Sequence, residues 1–523
     1  MQTAGAALGI ELGSTRIKAV LVDAQGAVLA SASHAWENQL VNGVWTYDLQ
    51  TVWQGLQGCF AKLTVQCEPP VQPAVIGISG MMHGYLAFDA TGKQLTPFRT
   101  WRNTMTQKAA SELSQALQWN MPQRWSAAHY YQAILNGEAH VGQVARLTTL
   151  AGYVHGELTG EYVLGVGDAS GMFPINTKTL DYDEVMLQRY DAVLREHSQD
   201  APSLRALLPR VLSAGQYAGR LTAAGVLLLD PSRKSPLSPA IPFCPPEGDA
   251  GTGMVATNAV APGTGNVSAG TSIFAMAVLQ KPLSRAYKEL DIVATPAGDP
   301  VAMVHCNNGT GDLDAWVRLL GESASLFGAS VPQDQLYEAL LRAALNGEAE
   351  CGGLLHCSYF SGEHLTGFAQ GRPFFLRSPE ASFTLPNVMR SLLFSALATL
   401  HIGMELLKQR EGVHLEQMLA HGGLFKVKGV AQRFLAAAIR TPVAVLQSAS
   451  EGGAWGIALL ASFALHKRRG ETLQAFLRER IFSQLTSTVM EPDPTDTVGF
   501  AEYINRYRAG LAVEQAIIET TIL

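Results

Sequence analysis

The amino-acid sequence predicts an α/β protein built from two domains with similar folds. Its 523 residues are more than one compact core usually accommodates, so two or three domains are expected. Apolar runs of strand length are followed by segments with helical spacing, which is typical of the α/β class. The segment 8–22 (LGIELGSTRIKAVLV) is similar to 265–279 (GNVSAGTSIFAMAVL), so the same hairpin recurs half a chain later.

The N-terminal elements follow from apolar runs separated by turn residues. The first 30 residues predict a β-hairpin and a third strand, since Gly-Ser-Thr and Asp-Ala-Gln-Gly stand between apolar runs. Residues 74–79 (AVIGIS) predict a buried strand that enters the turn GMMHG, and YLAFD predicts the returning strand. Helical spacing in 104–160 and 185–230 predicts the helices that follow.

The second half contains a matching series of signals. LEQMLA predicts a strand, KGVAQRFLAAAI a helix and PVAVL another strand, followed by a glycine-rich loop and a wholly apolar, buried helix. The remainder from about residue 470 predicts capping helices. The Pro/Gly-rich VAPGTG at 260–265 predicts the joint between the two domains.

The charge balance and the cysteine pattern exclude several classes of function and of site. The net charge of −6 leaves no basic surface for nucleic acid, and the basic run 466–469 is expected to be a solvated helix end. Six cysteines without a CxxC pair predict free thiols in a reducing compartment, and Cys351, His356 and Cys357 lack zinc-site spacing. No basic leader is visible and the apolar run 454–465 is too short to span a bilayer, so a soluble cytoplasmic protein is expected.

The two Gly-hydroxyl turns are candidate phosphate-binding sites. Such a turn exposes backbone N–H groups to an anion, and its hydroxyls add donors. One copy would be taken as a tight turn, but two at like positions favour hairpins that hold a polyphosphate between the domains. Glu11 can bind Mg²⁺ directly or through water, and Arg16 can pair with the transferred phosphoryl group. The turn residues are Gly13, Ser14 and Thr15 in the first hairpin and Gly270, Thr271 and Ser272 in the second.

Asp249 is the candidate general base. It stands among glycines in CPPEGDAGTGMVATN, at the predicted start of a helix and near the domain joint. A carboxylate there can accept the proton of a substrate hydroxyl as its oxygen attacks a phosphoryl group. The alternative is an ordinary helix N-cap, which the local pattern alone favours.

Two loops carry candidate sugar contacts. His83 follows a buried strand on a glycine-flanked turn, where α/β proteins place ligand contacts, and an imidazole can hydrogen bond a sugar hydroxyl. Trp101, Arg102 and Asn103 supply an aromatic face and polar groups. The plainer alternatives are a structural turn histidine and an ordinary anchored loop.

Two glycine-rich turns offer bare backbone to a nucleotide. They are HGGLFKVKG, with Gly422, Gly423 and Lys426, and SEGGAWG nearby. A Gly-Gly pair is a weak signal, and the chain contains neither GxGxxG nor GxxxxGK[ST].

Taken in order, these motifs resemble the FGGY family of carbohydrate kinases, in the actin/hexokinase/Hsp70 ATPase superfamily, over nearly the whole chain. GIELGSTRIKAVLVD and NVSAGTS resemble the family's phosphate hairpins, and PEGDAGTGMV resembles the segment with the catalytic base. GMMHGYLAFD is closest to the Met-His-Gly turn of xylulokinases. HGGLFKVKGVAQRFLAAAIRTPV and EGGAWGIALLA resemble the adenosine segment and the helix after it.

The resemblance implies two ribonuclease-H-like (actin-like ATPase) domains, residues 1–262 and 263–523, with an interdomain active-site cleft for ATP, Mg²⁺ and a sugar. It implies that Asp249 is the base, that Met82 and His83 contact the sugar and that the two hairpins line the phosphates. The same resemblance places Gly422 and Gly423 beside the adenosine and makes a homodimer possible.

Three positions depart from the family pattern. They are Glu11 where Asp is usual, Met81 where Gln is usual, and Arg102-Asn103 where an acidic or amide residue and then Asp are usual. An added cation would suit an acidic or already phosphorylated sugar. The segment HCNNGTGDLDAW matches no family motif, and we hypothesise that Asn307, Asn308 and Asp312 line the cleft.

The predicted function is ATP-dependent phosphorylation of a ketopentose such as D-xylulose. L-Ribulose or another ketose or polyol is the alternative acceptor. A nucleotide-dependent sensor or ATPase that lacks sugar kinase activity is the alternative from another class, which Glu11 and the altered Trp101 loop keep open. The retained Asp249 favours the kinase, because a sensor needs no positioned base.

Overall fold

The predicted α/β class is confirmed, since strands and helices alternate along both halves of the chain. The computed structural model describes residues 5–67, 70–446 and 452–520. The strands are β1 (Ala7–Leu12), β2 (Arg16–Val22), β3 (Val28–Ala35), β4 (Gln39–Val41), β5 (Val44–Thr46), β6 (Val75–Gly80), β7 (Leu86–Phe88), β8 (Arg146–Thr148), β9 (Val163–Gly165), β10 (Ile175–Asn176), β11 (Asp181–Tyr182), β12 (Arg210–Leu212), β13 (Glu247–Gly248), β14 (Thr264–Ala269), β15 (Ile273–Val278), β16 (Asp291–Ala294), β17 (Pro300–Cys306), β18 (Leu355–Cys357), β19 (Phe374–Leu376), β20 (Gln417–His421), β21 (Val443–Leu446) and β22 (Ser487–Met490).

The α-helices lie between these strands and after the last one. They are α1 (Leu49–Thr64), α2 (Gln107–Leu117), α3 (Ser126–Leu135), α4 (Leu150–Thr159), α5 (Val166–Ala169), α6 (Glu184–His197), α7 (Leu204–Leu207), α8 (Ala223–Leu229), α9 (Asp249–Ala256), α10 (Gly311–Leu326), α11 (Gln333–Ala343), α12 (Leu385–Glu411), α13 (Val430–Ile439), α14 (Gly452–His466), α15 (Leu473–Phe476) and α16 (Pro494–Thr520).

The chain forms two compact units, each made of more than one segment. Unit 1 comprises Met1–Pro262, Lys281–Val301 and Ala449–Gln484, and unit 2 comprises Gly263–Gln280, Ala302–Ser448 and Leu485–Leu523. The first change of unit therefore falls inside the VAPGTG segment. The assignment of sugar binding to residues 1–262 and adenosine binding to 263–523 stays a prediction.

Unit 1 is built on a five-stranded sheet with the order β13-β6-β1-β2-β3. The β1–β2 and β2–β3 pairs are antiparallel, whereas β6 runs parallel to β1 and β13 parallel to β6. Strand β1 is apolar along nearly its whole length because helices cover the sheet. Helix α14 passes so close that a Cβ on Gly9 would lie 2.1 Å from the carbonyl oxygen of Ala454, which only glycine permits.

Unit 2 repeats this strand order. Its sheet contains β17, β15, β14, β20, β21 and β22 in that sequence. The β14–β15 hairpin is antiparallel, and β20 and β21 run parallel beside β14 as β6 and β13 do beside β1. The recurrence predicted from the segments 8–22 and 265–279 is confirmed, because each forms the first hairpin of an equivalent sheet.

Helix α12 is the one described helix that is long and apolar enough to cross a membrane by length and composition. In its most apolar stretch, 78% of the residues are buried inside the protein. Thr384 caps its first turn by accepting the Asn387 N–H, and Gly412 ends it in a left-handed conformation. Its burial is that of a helix in the core of unit 2.

The sequence patterns missed most of the short strands, including β12, which lies within the segment 185–230 that was expected to be helical. Residues 104–160 were expected to be helical, but they also contain β8, which pairs with β7. The segment after residue 470 was expected to hold helices, but it also contains β22, an edge strand beside β21. Strands of three or four residues are too short to show an alternation. All six cysteines are unpaired, as predicted.

Candidate active site

The first hairpin turn, between β1 and β2, directs its carbonyl groups into unit 1. The indole Nε1 of Trp36 donates to the Gly13 oxygen at 2.7 Å, and the Tyr47 hydroxyl donates to the Ser14 oxygen at 2.5 Å. The Trp36 amide donates to the Thr15 oxygen at 3.1 Å. In the described part of the chain, the amides of Ser14 and Thr15 donate to no backbone acceptor. These donors are thus available to an anion.

Glu11 lies next to this turn, near the end of β1. Its carboxylate accepts the N–H of Ala454 at the start of α14, and a Cβ on Gly453 would be 2.3 Å from its Oε1. Removal from water raises the pKa of Glu11 to about 7, and the negative charge of Asp249 adds to this rise. Lys18, its antiparallel partner on β2, lowers the pKa of Glu11. A cation between the two carboxylates would relieve their repulsion.

Asp249 is the first residue of α9 and is partly exposed. Its Oδ1 accepts the amide N–H of Met82 at 3.2 Å and that of Ala250 at 2.9 Å. Burial raises its pKa, and the hydrogen bonds from backbone amides oppose the rise. Gly248 occupies the N-cap position. The N-cap alternative for Asp249 is therefore not what the structure shows.

The turn after β6 brings His83 close to Met82 and Asp249. Nδ1 of His83 lies 3.0 Å from the carbonyl oxygen of Gly171, and since a carbonyl only accepts, this nitrogen carries the hydrogen. His83 has a φ of 70°, a conformation rare for residues other than glycine. Such strain is typical of binding sites whose surroundings hold it in place.

The loop at 100–103 is anchored beside the first hairpin. Asn103 is 3% exposed; its Oδ1 accepts the Trp45 N–H and its Nδ2 donates to the Trp45 oxygen. The Trp101 Nε1 donates to the Ser14 hydroxyl at 3.3 Å. The Arg102 guanidinium stacks on the Trp45 ring, 4.0 Å from its centre. Asn103 is thus the anchor, and a direct contact between Asn103 and a sugar stays a prediction.

Two buried carboxyl groups near Asp249 were not identified from the sequence. Glu247 is 2% exposed and Asp168 is fully buried. Burial raises the pKa of each to about 8, and each lies close enough to another carboxylate for repulsion to add to the rise. Both stand next to glycines, as Asp249 does. That shared pattern is the signal that could have found them.

The second hairpin turn, in unit 2, is held by main-chain groups. The amides of Gly309 and Thr310 donate to the oxygens of Thr271 and Gly270 at 2.8 and 2.9 Å. The Gly270 amide donates to the Ser272 oxygen at 2.9 Å. Within the described residues, the amides of Thr271 and Ser272 donate to no backbone acceptor. This turn therefore presents its donors as the first hairpin does.

The residues of the 305–316 segment support unit 2. Asn308 is 6% exposed; its Oδ1 accepts the amides of Phe360 and Ser361, and its Nδ2 lies 3.3 Å from Glu363. Asp312 accepts a hydrogen bond from the Ser358 hydroxyl at 3.1 Å. Both ends of the Asn308 amide thus have protein partners, and the hypothesis that this segment lines the cleft stays a prediction.

The turn after β20 lies against the second hairpin within unit 2. A Cβ on Gly422 would be 2.4 Å from the carbonyl oxygen of Ala269, the last residue of β14, and φ at Gly422 is 108°. Gly423 has no atom within 4 Å of its Cβ position, and Lys426 is exposed. The turn thus has an open backbone surface. Ser450 and Glu451 of SEGGAWG lie outside the described residues.

No group of three or more His, Cys, Asp or Glu side chains in the described ranges is arranged to hold a metal ion. A magnesium ion that is shared with substrate phosphates needs fewer protein ligands, usually one or two carboxylates.

Both halves of the chain match family models. Residues 6–230 match the N-terminal domain of the FGGY family of carbohydrate kinases, and residues 265–465 match its C-terminal domain. A xylulose kinase of Haemophilus influenzae is 22% identical over 532 residues, which cover 97% of this chain and 99% of that protein. A gluconokinase of Bacillus licheniformis is 25% identical over 372 residues, 68% of each chain.

The fold is also that of solved kinase structures. The ligand-bound xylulose kinase from Lactobacillus acidophilus has a TM-score of 0.80 and 19% identity over 98% of this chain and 100% of that chain. This likeness confirms the predicted fold class of two ribonuclease-H-like domains.

Proposed function

The chain belongs to the FGGY family of carbohydrate kinases and is an ATP-dependent sugar kinase, and we propose that its acceptor is a ketopentose such as D-xylulose. The observation that carries the proposal is the hydrogen bond between Asp249 and the Met82 amide, which ties the base to the sugar turn. The xylulose kinases among its relatives support this acceptor.

In the proposed reaction, Asp249 accepts the proton of the attacking hydroxyl. The Met82 and Ala250 amides fix its carboxylate, while its raised pKa makes it a stronger base than an ordinary aspartate. His83 orients the sugar, with its ring fixed by Gly171. The amides of the Gly13–Thr15 turn and of the Gly270–Ser272 turn bind phosphate oxygens. Positioning and electrostatics supply most of the rate in such a transfer.

Glu11 is the proposed ligand for Mg²⁺. Its carboxylate is next to the first turn. Its pKa is raised mainly by removal from water and further by the negative charge of Asp249, which a divalent cation would offset. Mg²⁺, when bound, neutralises charge on the phosphates of ATP. The residues present fit this ion, with Glu11 supplying one carboxylate and the phosphates the remaining charged oxygens.

The test is ADP release with MgATP against ketopentoses, other ketoses, aldoses, polyols and sugar acids. Asp249→Asn should lower kcat at least about a hundredfold, the loss typical of a general base. Asp299→Asn is the matched control, because Asp299 is also a partly buried carboxyl of unit 1 with a raised pKa. Full turnover by Asp249→Asn would show that Asp249 is not the general base. ATP consumption that ignores every sugar would favour the sensor or ATPase.

A sugar acid is the second candidate acceptor, and Arg102 favours it. Its guanidinium is exposed and stacks on Trp45, and no described carboxylate forms an ion pair with it. A stacked guanidinium is suited to binding a carboxylate. The gluconokinase among the relatives also supports this candidate. Arg102→Met should then reduce kcat/KM for gluconate more than for D-xylulose. Equal reductions would argue against this candidate.

A further inference from the structure

Glu247 is a buried carboxyl group of unit 1 to which the proposed reaction gives no role. It lies on β13, two residues before Asp249, and β13 pairs with the end of β6, from which the Met82–His83 turn begins. Its side chain contacts the segment 165–171.

The Glu247 carboxylate is the acceptor that holds this segment. Its Oε2 accepts the Asp168 amide at 2.8 Å and its Oε1 accepts the Gly167 amide at 3.3 Å. A Cβ on Gly165 would be 2.1 Å from Oε1, and a Cβ on Gly167 would be 2.5 Å from Oε2. The two glycines therefore leave room for one carboxylate and nothing larger.

The same segment holds the sugar turn. The carbonyl oxygen of Gly171 accepts the hydrogen on Nδ1 of His83 at 3.0 Å. A Cβ on Gly171 would lie 2.8 Å from the Met82 Cε, so the segment and the turn are packed without spare space. Asp168 fixes the segment from its other side, because it accepts the Thr149 hydroxyl at 2.6 Å.

The Met82–His83 turn also contacts β13 and the base Asp249 that follows this strand. The Met82 amide donates to Asp249, and a Cβ on Gly248 would be 2.1 Å from the Met82 Cγ. Glu247, the segment 165–171, the Met82–His83 turn and Asp249 thus form a closed ring of contacts. Glu247 is the member whose side chain closes it.

We infer that Glu247 is a positioning residue that sets the distance between the base Asp249 and the sugar contact His83. The inference rests on the proposed function, since it uses the roles given there to these two residues. Loss of the two accepted hydrogen bonds frees the segment, and the His83 ring and the Met82 amide then lose their fixed positions. A shift of about 1 Å at a reacting centre is enough to lower a rate markedly.

The experiment compares steady-state kinetics of the full-length wild type, Glu247→Met and Glu247→Gln with the preferred sugar. Met keeps the length of the side chain but removes both acceptors, whereas Gln keeps one. Glu514→Met is the matched control, because Glu514 is buried in unit 2 and accepts the Arg372 amide at 2.6 Å. Melting temperatures are recorded for all four proteins.

Glu247→Met should raise the sugar KM and lower kcat, each about tenfold, as expected for two lost hydrogen bonds to a carboxylate. The KM for ATP should not change, and Glu247→Gln should recover much of the loss. Glu514→Met should lower only the melting temperature. If Glu247→Met does not fold, Glu247→Gln provides the test. The inference then requires a raised sugar KM and an unchanged ATP KM in that variant.

A Glu247 variant with a lower melting temperature but wild-type kcat and sugar KM would overturn the inference, because the residue would then be structural. A wild type that phosphorylates no sugar would overturn the proposed function, and the inference with it. The two failures are distinguishable, since the second is seen before any substitution is made.

Discussion

The two hairpin turns present the same groups but are supported by different means. At the first turn the carbonyls of Gly13 and Ser14 accept hydrogen bonds from the side chains of Trp36 and Tyr47. At the second turn the carbonyls accept main-chain amides of the loop after β17. In both cases the carbonyls are engaged by the protein and the amides are left for an anion.

The difference determines how each turn can be damaged. Trp36 and Tyr47 stack with ring centres 4.3 Å apart, so the first turn rests on two bulky side chains that substitution can shorten. The second turn rests on backbone amides, which no substitution except one to proline removes, so it is moved chiefly by a steric clash. Substitution of a supporting side chain should therefore cause a graded loss of activity. Displacement of the supporting backbone should cause a large loss of activity with a single substitution.

The largest effect is expected from Gly309→Ala at the second turn. The new Cβ would lie 2.4 Å from the Gly270 oxygen and 3.0 Å from the Ser272 carbonyl carbon. Both are backbone atoms of the turn, so the turn itself must move. We expect kcat/KM for ATP to fall about a hundredfold, measured by coupled ADP release.

Gly311→Ala is the control for this variant. It lies two residues further along the chain, at the start of α10, and its Cβ would meet only the Phe360 ring, at 3.4 Å. Its kinetics should match the wild type. Normal activity of Gly309→Ala would mean that the second turn tolerates displacement, and the contrast between the two supports would then be lost.

A smaller effect is expected from Tyr47→Phe at the first turn. The substitution removes one donor from the Ser14 oxygen but keeps the stacked ring, and a lost hydrogen bond of this kind costs about 1–3 kcal/mol. Burial raises the pKa of Tyr47 to about 12, so the hydroxyl is a donor throughout the working pH range. We expect kcat/KM for ATP to fall about tenfold.

Tyr217→Phe is the corresponding control, because Tyr217 is 53% exposed and its loss of a hydroxyl should not alter the kinetics. Trp36→Phe provides an independent repeat, since it removes the donor to Gly13. A fall for Tyr47→Phe as large as that for Gly309→Ala would contradict the graded failure expected of side-chain supports.

The sequence predicted the turns but not their supports, and the reason is distance along the chain. Gly-Ser-Thr and Gly-Thr-Ser are local patterns between apolar runs, so they are visible in a short window. Trp36 and Tyr47 reach the first turn only after β3 and β5 have folded back, and Gly309 reaches the second only through β17. Only tertiary pairing of the strands brings these residues to the turns.

The residues of the candidate site differ in the same way in how visible they are from the local sequence. Asp249 was predicted from its place among glycines at the start of a helix, and His83 from its glycine-flanked turn after a strand. The hydrogen bond between Asp249 and Met82 joins those two places in unit 1. Glu247 and Asp168 were missed because a neighbouring glycine is the one local signal they carry, and many solvated acids carry it too. Asn103 anchors its loop to Trp45, and its contact with the sugar stays a prediction.

The smallest expected effect distinguishes the two supports by pH. Glu363 supports the loop that holds the second turn. It is fully buried and accepts hydrogen bonds from the amides of Asn307 and Asn308. Burial raises its pKa to about 7 from an ordinary 4.5, although these hydrogen bonds oppose the rise. Because the folded protein binds this proton more tightly, the contribution of Glu363 to stability is greatest at low pH and is lost as the pH rises through about 7.

Glu363→Gln has no such proton, so the difference in melting temperature between wild type and Glu363→Gln should change by a few degrees between about pH 5 and about pH 8, in favour of the wild type at the acidic end. The difference between wild type and Tyr47→Phe should stay constant over the same range, because Tyr47 titrates near 12. Calorimetry of the three proteins measures both. A constant difference for Glu363→Gln would show that its carboxyl group keeps one protonation state, and pH would then not separate the two turns.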